Sequence, residues 1–578
     1  MIGEATKTDL RGNLRGFFER LVRGSARRLA VAPAVGRVLD RLTEWDEAVR
    51  SHWPFSALVG PDIPPVSLAG DGSRLLVRPA ILGCIAITAI TAGVSQQRSP
   101  FVLKQAGAWF FGVPASGAKP STHGLFLGLV AVYGGLVLLV RAWYSLIRTT
   151  SQLQGVPVRK LVGVFALWTL PLLLAPPLFS RDVYSYVAQG EMMSHHISPY
   201  HFGPGVLGGA PSVTLVDKLW LNTPAPYGPL FMQLDGILTS ISFHHEVPDL
   251  LLLRLLALGG VGLIAASIPT LARSMGRDAA YVFTLAVLNP VTILHLVGGA
   301  HNDALMLGLM LAGLAVAKRG RPVAGIVLCS LAAAVKVPAA LGILYIAWEW
   351  TGTGLPLRAR VRPVVTAGLV AGAVMGALTL VTGLGWSWVL NLATPGTVRS
   401  WVAPATGAGI LLTDLAHLVG VGVSLHSVLS VTRVLGLGTA AVVGVRLLLR
   451  CDQVGALRAM GLTMLLVVVL GPVVQPWYLS WGLLLLTPVA IGRIRSLIIG
   501  LSVFSVLVGL PGGRQLVWDL LHANPLSVAL ALLVCLGILT VPLTPFDRER
   551  FLPRWRRRGD GPGGQMSEPA RGLDYAGA

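Results

Sequence analysis

The sequence contains few charged residues. Asp, Glu, Lys and Arg make up only 12% of its 578 residues, whereas 53% are hydrophobic. A soluble domain usually carries about a quarter charged residues and has no core large enough for such an apolar fraction. The composition therefore excludes an ordinary water-soluble protein and indicates one that uses lipid as its solvent.

Acidic residues are the scarcer charge, with 26 Asp and Glu against 46 Lys and Arg, for a formal net charge of +20. In a soluble protein this excess would suggest a nucleic-acid partner. Here the basic residues lie in short stretches between apolar segments, which is the pattern of cytoplasmic loops. We therefore interpret the charge as membrane topology and expect no nucleic-acid partner.

Cysteine is also rare. The four cysteines, Cys84, Cys329, Cys451 and Cys535, form no CxxC pair and have no histidine at ligand spacing. We therefore expect neither a disulfide framework nor a zinc site. A glycine-rich phosphate-binding loop is not apparent either, which argues against a nucleotide ligand.

Long apolar runs are abundant. The runs 123–147, 249–272, 425–449 and 523–542 are each long enough to cross a hydrocarbon core of about 30 Å as a helix. Such runs, separated by cytoplasmic basic clusters, predict an all-α polytopic membrane protein with about 14 crossings and both termini inside. The polar segment 180–248 then becomes a large external loop.

Three regions are predicted along the chain. Residues 1–78 form a basic cytoplasmic arm, too long and too poor in apolar residues to be a cleaved signal peptide. Within the arm, residues 10–23 are typical either of an amphipathic helix on the inner leaflet or of a solvated helix. Residues 79–545 form the transmembrane domain, and residues 546–578 form a basic, then disordered, cytoplasmic tail.

Lys336 interrupts an apolar stretch of about thirty residues that has basic clusters at both ends. Two short helices, at about 322–350, keep both clusters on one side and bring Lys336 to the outer face. A lysine there needs an anion. A lipid-linked phosphate meets that need, and so does snorkelling to headgroups or a distant carboxylate.

The segment 180–248 begins with Asp182 and is rich in aromatic residues. A carboxylate ringed by aromatic side chains suits sugar transfer, because it takes a hydroxyl proton while ring faces stack on the sugar. The alternative is that Asp182 caps a helix and the aromatics form an interfacial belt. The candidate sugar-stacking residues are Tyr184, Tyr186, Tyr200, Trp220 and Tyr227.

A second polar group follows an apolar helix at 299–303. His301, Asn302 and Asp303 bring a ring nitrogen, an amide and a carboxylate together at the predicted outer rim, where a donor phosphate should lie. Helix capping by Asn302 or Asp303 is the alternative. The remaining outer-face candidates are Arg399, Gln475, Trp477 and Tyr478.

Four segments in this order resemble a known family. They are RDVYSYVAQG at 181–190, SPYHFGPG at 198–205, WLNTPAPYGPL at 220–230 and GAHNDALM at 299–306. The chain is similar, over about 75–545, to the polyprenol-phosphate-mannose-dependent α-1,6-mannosyltransferases of actinobacteria, which build the mannan backbone of lipomannan and lipoarabinomannan. Its length and basic arm look more like the member that initiates the core than the one that extends it.

The resemblance implies a GT-C fold and an inverting transfer on the outer face of the plasma membrane. Mannose would pass from polyprenyl-phosphate-mannose to the 6-hydroxyl of a mannose on a phosphatidylinositol-type glycolipid. Asp182 matches the acidic residue of an early external loop that is implicated in catalysis in this fold, and it would act as general base. Lys336, His301 and Arg399 would stabilise the leaving phosphate. A metal is not firmly implied, although Asp182 and Asp303 sharing a divalent ion remains open.

Two rival functions are left open. A GT-C enzyme of another sugar, such as arabinofuranose on the same carrier, would share the fold. A transporter or lipid flippase would instead keep ionisable residues near the bilayer midplane. Motif position alone selects Asp182 among five acidic residues on or near the predicted outer face, which are Asp182, Glu191, Asp217, Asp235 and Asp303.

Overall fold

The computed structural model describes residues 74–95, 108–109, 113–114, 122–153, 155–398, 400–507, 525–540 and 543. The predictions for residues 1–73 of the basic arm, for Arg399 and for the tail beyond 543 lie outside the described residues.

The described residues are overwhelmingly helical, which confirms the all-α prediction. One short antiparallel pair, β1 (Ala108–Trp109) with β2 (Val113–Pro114), is the exception in this part of the chain. The α-helices are α1 (Arg74–Ser95), α2 (Thr122–Gln152), α3 (Val158–Leu173), α4 (Asp182–Ser194), α5 (Pro211–Thr214), α6 (Pro229–Ile241), α7 (Glu246–Ser274), α8 (Ala279–Ala286), α9 (Asp303–Lys318), α10 (Pro322–Ala333), α11 (Ala340–Glu349), α12 (Leu357–Thr382), α13 (Pro404–Leu418), α14 (Leu425–Leu449), α15 (Cys451–Val454), α16 (Ala456–Val469), α17 (Pro476–Leu486), α18 (Gly492–Leu507) and α19 (Pro525–Thr540).

Shorter helical turns join several of these helices. A π-helix spans Thr292–Gly298, and 3₁₀ turns span Pro204–Leu207, Val337–Ala339, Ser387–Thr397 and Thr487–Val489. Six α-helices, α5, α6, α10, α13, α17 and α19, begin with proline. The first helical position tolerates proline because its missing N–H has no partner within the helix.

Several described helices are long and apolar enough to cross a membrane. They are α1, α2, α7, α12 and α14, and the π-helix together with α9 makes a sixth, bent span. Helices α10 and α16 are apolar but shorter than these spans. The chain is therefore a multi-pass membrane protein, while the count of about 14 crossings stays a prediction.

The segment 180–248 is more helical than expected from its polarity. It contains α4 and α6, which pack side by side, with the Tyr186 ring edge-on to Phe231 at 5.1 Å between centroids. A Cβ on Gly190 would lie 2.1 Å from Thr239 Oγ1, so only glycine permits this approach. Most of the α4 side chains are buried against the rest of the protein, which explains why a polar segment forms helices here.

The prediction of two short helices around Lys336 is confirmed. Helices α10 and α11 are separated by a break at residues 334–339, and Lys336 lies within it. The break frees backbone carbonyls: Gly228 N–H donates to Val335 O at 3.1 Å, and Leu230 N–H donates to Ala334 O at 3.0 Å. A Cβ on Gly228 would lie 2.2 Å from Ala334 O, so this contact also requires glycine.

A second break lies between the π-helix and α9, whose axes differ by 114°. Ala300 adopts a positive φ of 52° in the connection, which L-residues other than glycine rarely do. The buried Arg254 of α7 holds the connection by donating to the carbonyls of Leu172, Ala175 and Gly298. This bend brings residues 301–303 towards Asp182.

Candidate active site

Asp182 is the first residue of α4, and its position is fixed by its neighbours. Its amide donates to Ser180 Oγ at 3.1 Å. The preceding Arg181 donates from Nε to Leu215 O at 3.1 Å and lies 3.6 Å from Asp217 Oδ2. The Asp182 carboxylate makes none of these contacts, so the start of α4 is anchored while this group stays available.

The Asp182 side chain lies in the wall of an open pocket whose empty space, counted together with the solvent at its mouth, is about 560 Å³. Its wall combines polar side chains, aromatic rings and two prolines. The lining residues are Asp182, Ser185, Gln189, Trp220, Thr223, Pro224, Pro226, Tyr227, Thr394, Val398, Val473, Gln475, Trp477 and Tyr478. Asp182 is the one charged side chain in this set of described residues. The pocket is therefore suited to a neutral ligand with hydroxyl groups and apolar faces.

His301 lies directly behind Asp182. Its ring is fully buried and stacks on Trp477 with centroids 3.9 Å apart and an interplanar angle of 20°. His301 Nδ1 lies 3.7 Å from Asp182 Oδ2, and neither ring nitrogen has a hydrogen-bond partner among the described residues. The ring thus connects the carboxylate with an aromatic residue of the pocket wall.

Asp303 forms a separate, closed cluster. Lys336 Nζ lies 3.0 Å from its Oδ1 and 2.9 Å from its Oδ2, and the Trp481 indole donates to Oδ1 at 2.6 Å. Lys336 Nζ also lies 4.6 Å from the centre of the Tyr478 ring and 5.7 Å from that of Tyr227. The sequence left three partners open for Lys336: a lipid-linked phosphate, lipid headgroups or a distant carboxylate. In the structure Lys336 pairs with a distant carboxylate, that of Asp303.

Burial raises the pKa of the Asp182 carboxyl to about 6, because desolvation disfavours its charged form. The positive charge of Lys336 and a hydrogen bond with Trp220 act in the opposite direction, whereas the charges of Asp303 and Asp217 raise the pKa further. Since a general base works best with a pKa close to the working pH, this value suits Asp182 to proton transfer.

The five acidic residues near the predicted outer face have different surroundings in the structure. Asp217 pairs with Arg181, Glu191 lies 3.9 Å from His195 Nε2, and Asp303 is paired with Lys336. Asp235 is fully buried, neither of its carboxylate oxygens has a hydrogen-bond partner in the described part of the chain, and burial raises its pKa well above the usual range. Asp182 alone among the five lines the pocket.

The predicted aromatic residues divide into two groups. Trp220 and Tyr227 line the pocket, and so do Trp477, Tyr478 and Gln475. In contrast, Tyr184, Tyr186 and Tyr200 are at most 3% exposed and do not line it. The Tyr186 ring instead stacks edge-on against Tyr227 at 5.4 Å and supports the wall from behind.

The helix-capping alternatives receive little support. Arg181 and Asn302 occupy the N-cap positions of α4 and α9, and neither side chain makes a capping hydrogen bond. Asn302 is 4% exposed, with both amide atoms unpaired among the described residues. It therefore lies beside the cluster without joining its hydrogen bonds.

Four polar pocket residues, Ser185, Gln189, Thr223 and Thr394, were not among the sequence predictions. Ser185 and Gln189 follow Asp182 by three and seven residues, which places all three on one face of a helix. That spacing is a signal that the sequence contains. Thr394 had no such signal, because it reaches the pocket from a turn more than two hundred residues away.

A shared divalent metal does not fit Asp182 and Asp303. Both oxygens of Asp303 are engaged by Lys336, and one of them also by Trp481. The part of the chain that the structure describes contains no group of three His, Cys, Asp or Glu side chains suited to hold a metal ion.

Comparison with known proteins gives consistent matches. Residues 80–352 match the family model described as "Alpha-(1->6)-mannopyranosyltransferase, N-terminal domain", and residues 405–540 match the one described as "MptB C-terminal domain". The chain is 34% identical over 465 residues to alpha-(1->6)-mannopyranosyltransferase A of Mycobacterium tuberculosis, covering 77% of this chain and 86% of that protein.

Two further relatives carry related names. A probable alpha-(1->6)-mannopyranosyltransferase of Mycolicibacterium smegmatis is 35% identical, covering 71% of this chain and 80% of the relative. Alpha-(1->6)-mannopyranosyltransferase B of Corynebacterium glutamicum is 31% identical, covering 60% and 63%. No solved structure matches the chain.

Proposed function

The chain belongs to the alpha-(1->6)-mannopyranosyltransferase family, and from this membership we propose that it transfers mannose from polyprenyl-phosphate-mannose to the 6-hydroxyl of an α-mannoside on a lipid-anchored acceptor. It is a membrane glycosyltransferase, as its relatives are. The observation that carries the proposed chemistry is that Asp182 is the charged group among the described residues that line an aromatic-rich pocket.

In the proposed reaction, the acceptor 6-hydroxyl donates a hydrogen bond to the Asp182 carboxylate. As its oxygen bonds to C1 of the donor mannose, the proton passes to Asp182 and the bond from C1 to the phosphate oxygen breaks. Polyprenyl phosphate leaves with the bonding electrons. A β-linked donor and an α-linked product require this single displacement with inversion.

In this proposal His301 and Trp477 position the Asp182 carboxylate. His301 lies 3.7 Å from Oδ2, and the stacked Trp477 ring fixes the plane of the imidazole. A base held in one orientation loses little entropy on reaching the transition state. His301 acts in this proposal through Asp182, whereas the sequence had suggested a phosphate contact.

The leaving phosphate needs positive charge nearby. Lys336 is the candidate among the described residues, although it shares its charge with Asp303. Arg399 lies outside the described residues, but its neighbour Val398 lines the pocket. We assign the phosphate contact to Lys336, and the role of Arg399 stays a prediction from the sequence.

The proposed setting is the outer face of the plasma membrane, with a phosphatidylinositol-type mannolipid as acceptor and lipomannan or lipoarabinomannan backbone as product. The basic stretches between the apolar helices support this orientation. Relatives named A and B match at similar identity, 34% and 31%, so initiation of the core, as opposed to its extension, stays a prediction.

The test is transfer of radiolabelled mannose from synthetic polyprenyl phosphomannose to an α-1,6-dimannoside by membranes that contain the protein or its Asp182→Asn form at equal abundance. We expect transfer that requires the protein and falls by about 10²–10⁴-fold in the variant. Transfer of arabinose but not mannose would replace the donor sugar, and no transfer of either by intact protein would refute the proposal.

A further inference from the structure

One face of helix α4 lines the pocket over two helical turns. Asp182, Ser185 and Gln189 all belong to the lining, at positions i, i+3 and i+7. With a rise of about 1.5 Å per residue, Ser185 lies about 4.5 Å and Gln189 about 10.5 Å along the axis from Asp182. The face is therefore longer than the one carboxylate needs and reaches across more than one sugar ring.

Beyond Asp182, this face carries two polar atoms without partners among the described residues. Ser185 and Gln189 are each 4% exposed, and neither Ser185 Oγ nor Gln189 Oε1 has a hydrogen-bond partner among the described residues. An unsatisfied buried polar atom is unfavourable, so such atoms are normally paired. Two of them lining one pocket mark a place where a ligand supplies the missing partners.

The chemistry of these atoms selects the ligand. Gln189 Oε1 only accepts hydrogen bonds, and the Ser185 hydroxyl both donates and accepts. The ligand must therefore present a donor to Gln189, as a sugar hydroxyl does and a phosphate oxygen does not. The same pocket is also lined by the rings of Trp220, Tyr227 and Trp477, which suit the apolar faces of sugars.

We propose that Ser185 and Gln189 form an acceptor subsite, in which Ser185 binds the mannose that carries the attacking hydroxyl and Gln189 binds a hydroxyl of the preceding mannose. The proposal rests on the function proposed above, because Asp182 defines where the attacking hydroxyl lies. It makes a disaccharide the smallest acceptor that fills the pocket, and it makes Gln189 the residue that measures acceptor length.

Binding can be measured without turnover. Purified protein in nanodiscs is titrated with methyl α-mannoside and with methyl α-1,6-dimannoside, and binding is followed by ligand-observed NMR. We expect the dimannoside to bind about tenfold more tightly than the monosaccharide. This ratio corresponds to about 1.4 kcal/mol, the contribution of one hydrogen bond. Gln189→Leu should remove this tenfold advantage and leave the affinity for the monosaccharide within about twofold.

Two further variants complete the design. Ser185→Ala should weaken binding of both sugars by a similar factor, because it touches the mannose that they share. Gln233→Leu is the matched control, since Gln233 lies on α6 and outside this pocket, and its two affinities should equal those of the wild type.

The outcomes separate the subsite from the reaction. Equal loss of both sugars in Gln189→Leu, or no loss, would overturn the subsite even if mannose is transferred. Loss confined to the dimannoside would support it even if no sugar moves from the polyprenyl donor, in which case the proposed function fails instead. Absence of any sugar binding to folded wild-type protein would overturn the subsite.

Discussion

Asp182 and Asp303 are both aspartates, and each is the first residue of a helix, but their surroundings differ. Asp303 is fully buried and is contacted by Lys336 on both oxygens and by Trp481 on one. The Asp182 side chain is 22% exposed, and its Oδ2 lies 3.7 Å from Nδ1 of His301. A carboxylate whose lone pairs are filled by donors is a weak base, so the comparison assigns structure to Asp303 and chemistry to Asp182.

The largest effect should come from opening the Asp303 cluster. Lys336→Met leaves a buried carboxylate without its counter-ion, which typically costs about 3–5 kcal/mol. Thermal unfolding in detergent should register this loss. The double variant Lys336→Met/Asp303→Leu replaces both charges with apolar groups and should recover most of the stability. A double variant no more stable than the single one would show that the pair is not the source.

A smaller effect is expected from the indole donor of the same cluster. Trp481→Phe removes a hydrogen bond to a charged acceptor and should lower the unfolding free energy by about 1.5–3 kcal/mol. In the Lys336→Met/Asp303→Leu background the same change should cost less, because its acceptor is gone. Equal costs in the two backgrounds would mean that Trp481 matters through packing alone.

The pH dependence of transfer examines the other carboxylate. With a pKa of about 6, Asp182 is protonated and inactive as a base below that pH, so the rate should rise with pH through about 6 and then level off. Trp220→Phe removes a hydrogen bond that lowers this pKa, and the midpoint should move to higher pH. A midpoint near 4 in the wild type would contradict the assignment.

The smallest effect concerns stability at Asp182. Its pKa is raised on folding, so the native state binds more protons between the ordinary Asp value and about 6. Its contribution to stability is therefore present at low pH and is lost as the pH rises through about 6. Asp182→Asn should unfold at the same temperature as the wild type or slightly higher at pH 7. A marked fall would place Asp182 with Asp303 as a structural residue.

Some of this arrangement could be predicted from the sequence. Basic clusters at both ends of an apolar stretch predicted the break at Lys336, because both clusters must lie on the cytoplasmic side of the membrane. Motif position selected Asp182, and the aromatic residues Trp220 and Tyr227 reached the pocket as expected. These predictions depend on local pattern, which a sequence records directly.

Other features could not be predicted because they depend on how distant segments meet. Lys336 and Asp303 are 33 residues apart, and Asp303 begins α9 directly after the 114° bend. The burial of Tyr186 follows from the packing of α4 against α6, which a polar composition conceals. Ser185 and Gln189 were within reach of helical periodicity, provided that the segment was taken as a helix.

The hydrogen bonds from Gly228 and Leu230 to the carbonyls of Val335 and Ala334 have a consequence for engineering chimeras within the family. The pocket residues Trp220 to Tyr227 keep their register only while the chain breaks at 334–336, since an unbroken helix would use those carbonyls itself. The two segments therefore form one unit of exchange. A graft of 198–230 from a relative should be productive when residues 334–336 and their flanking turns are transferred with it, and should misplace the pocket wall when they are not.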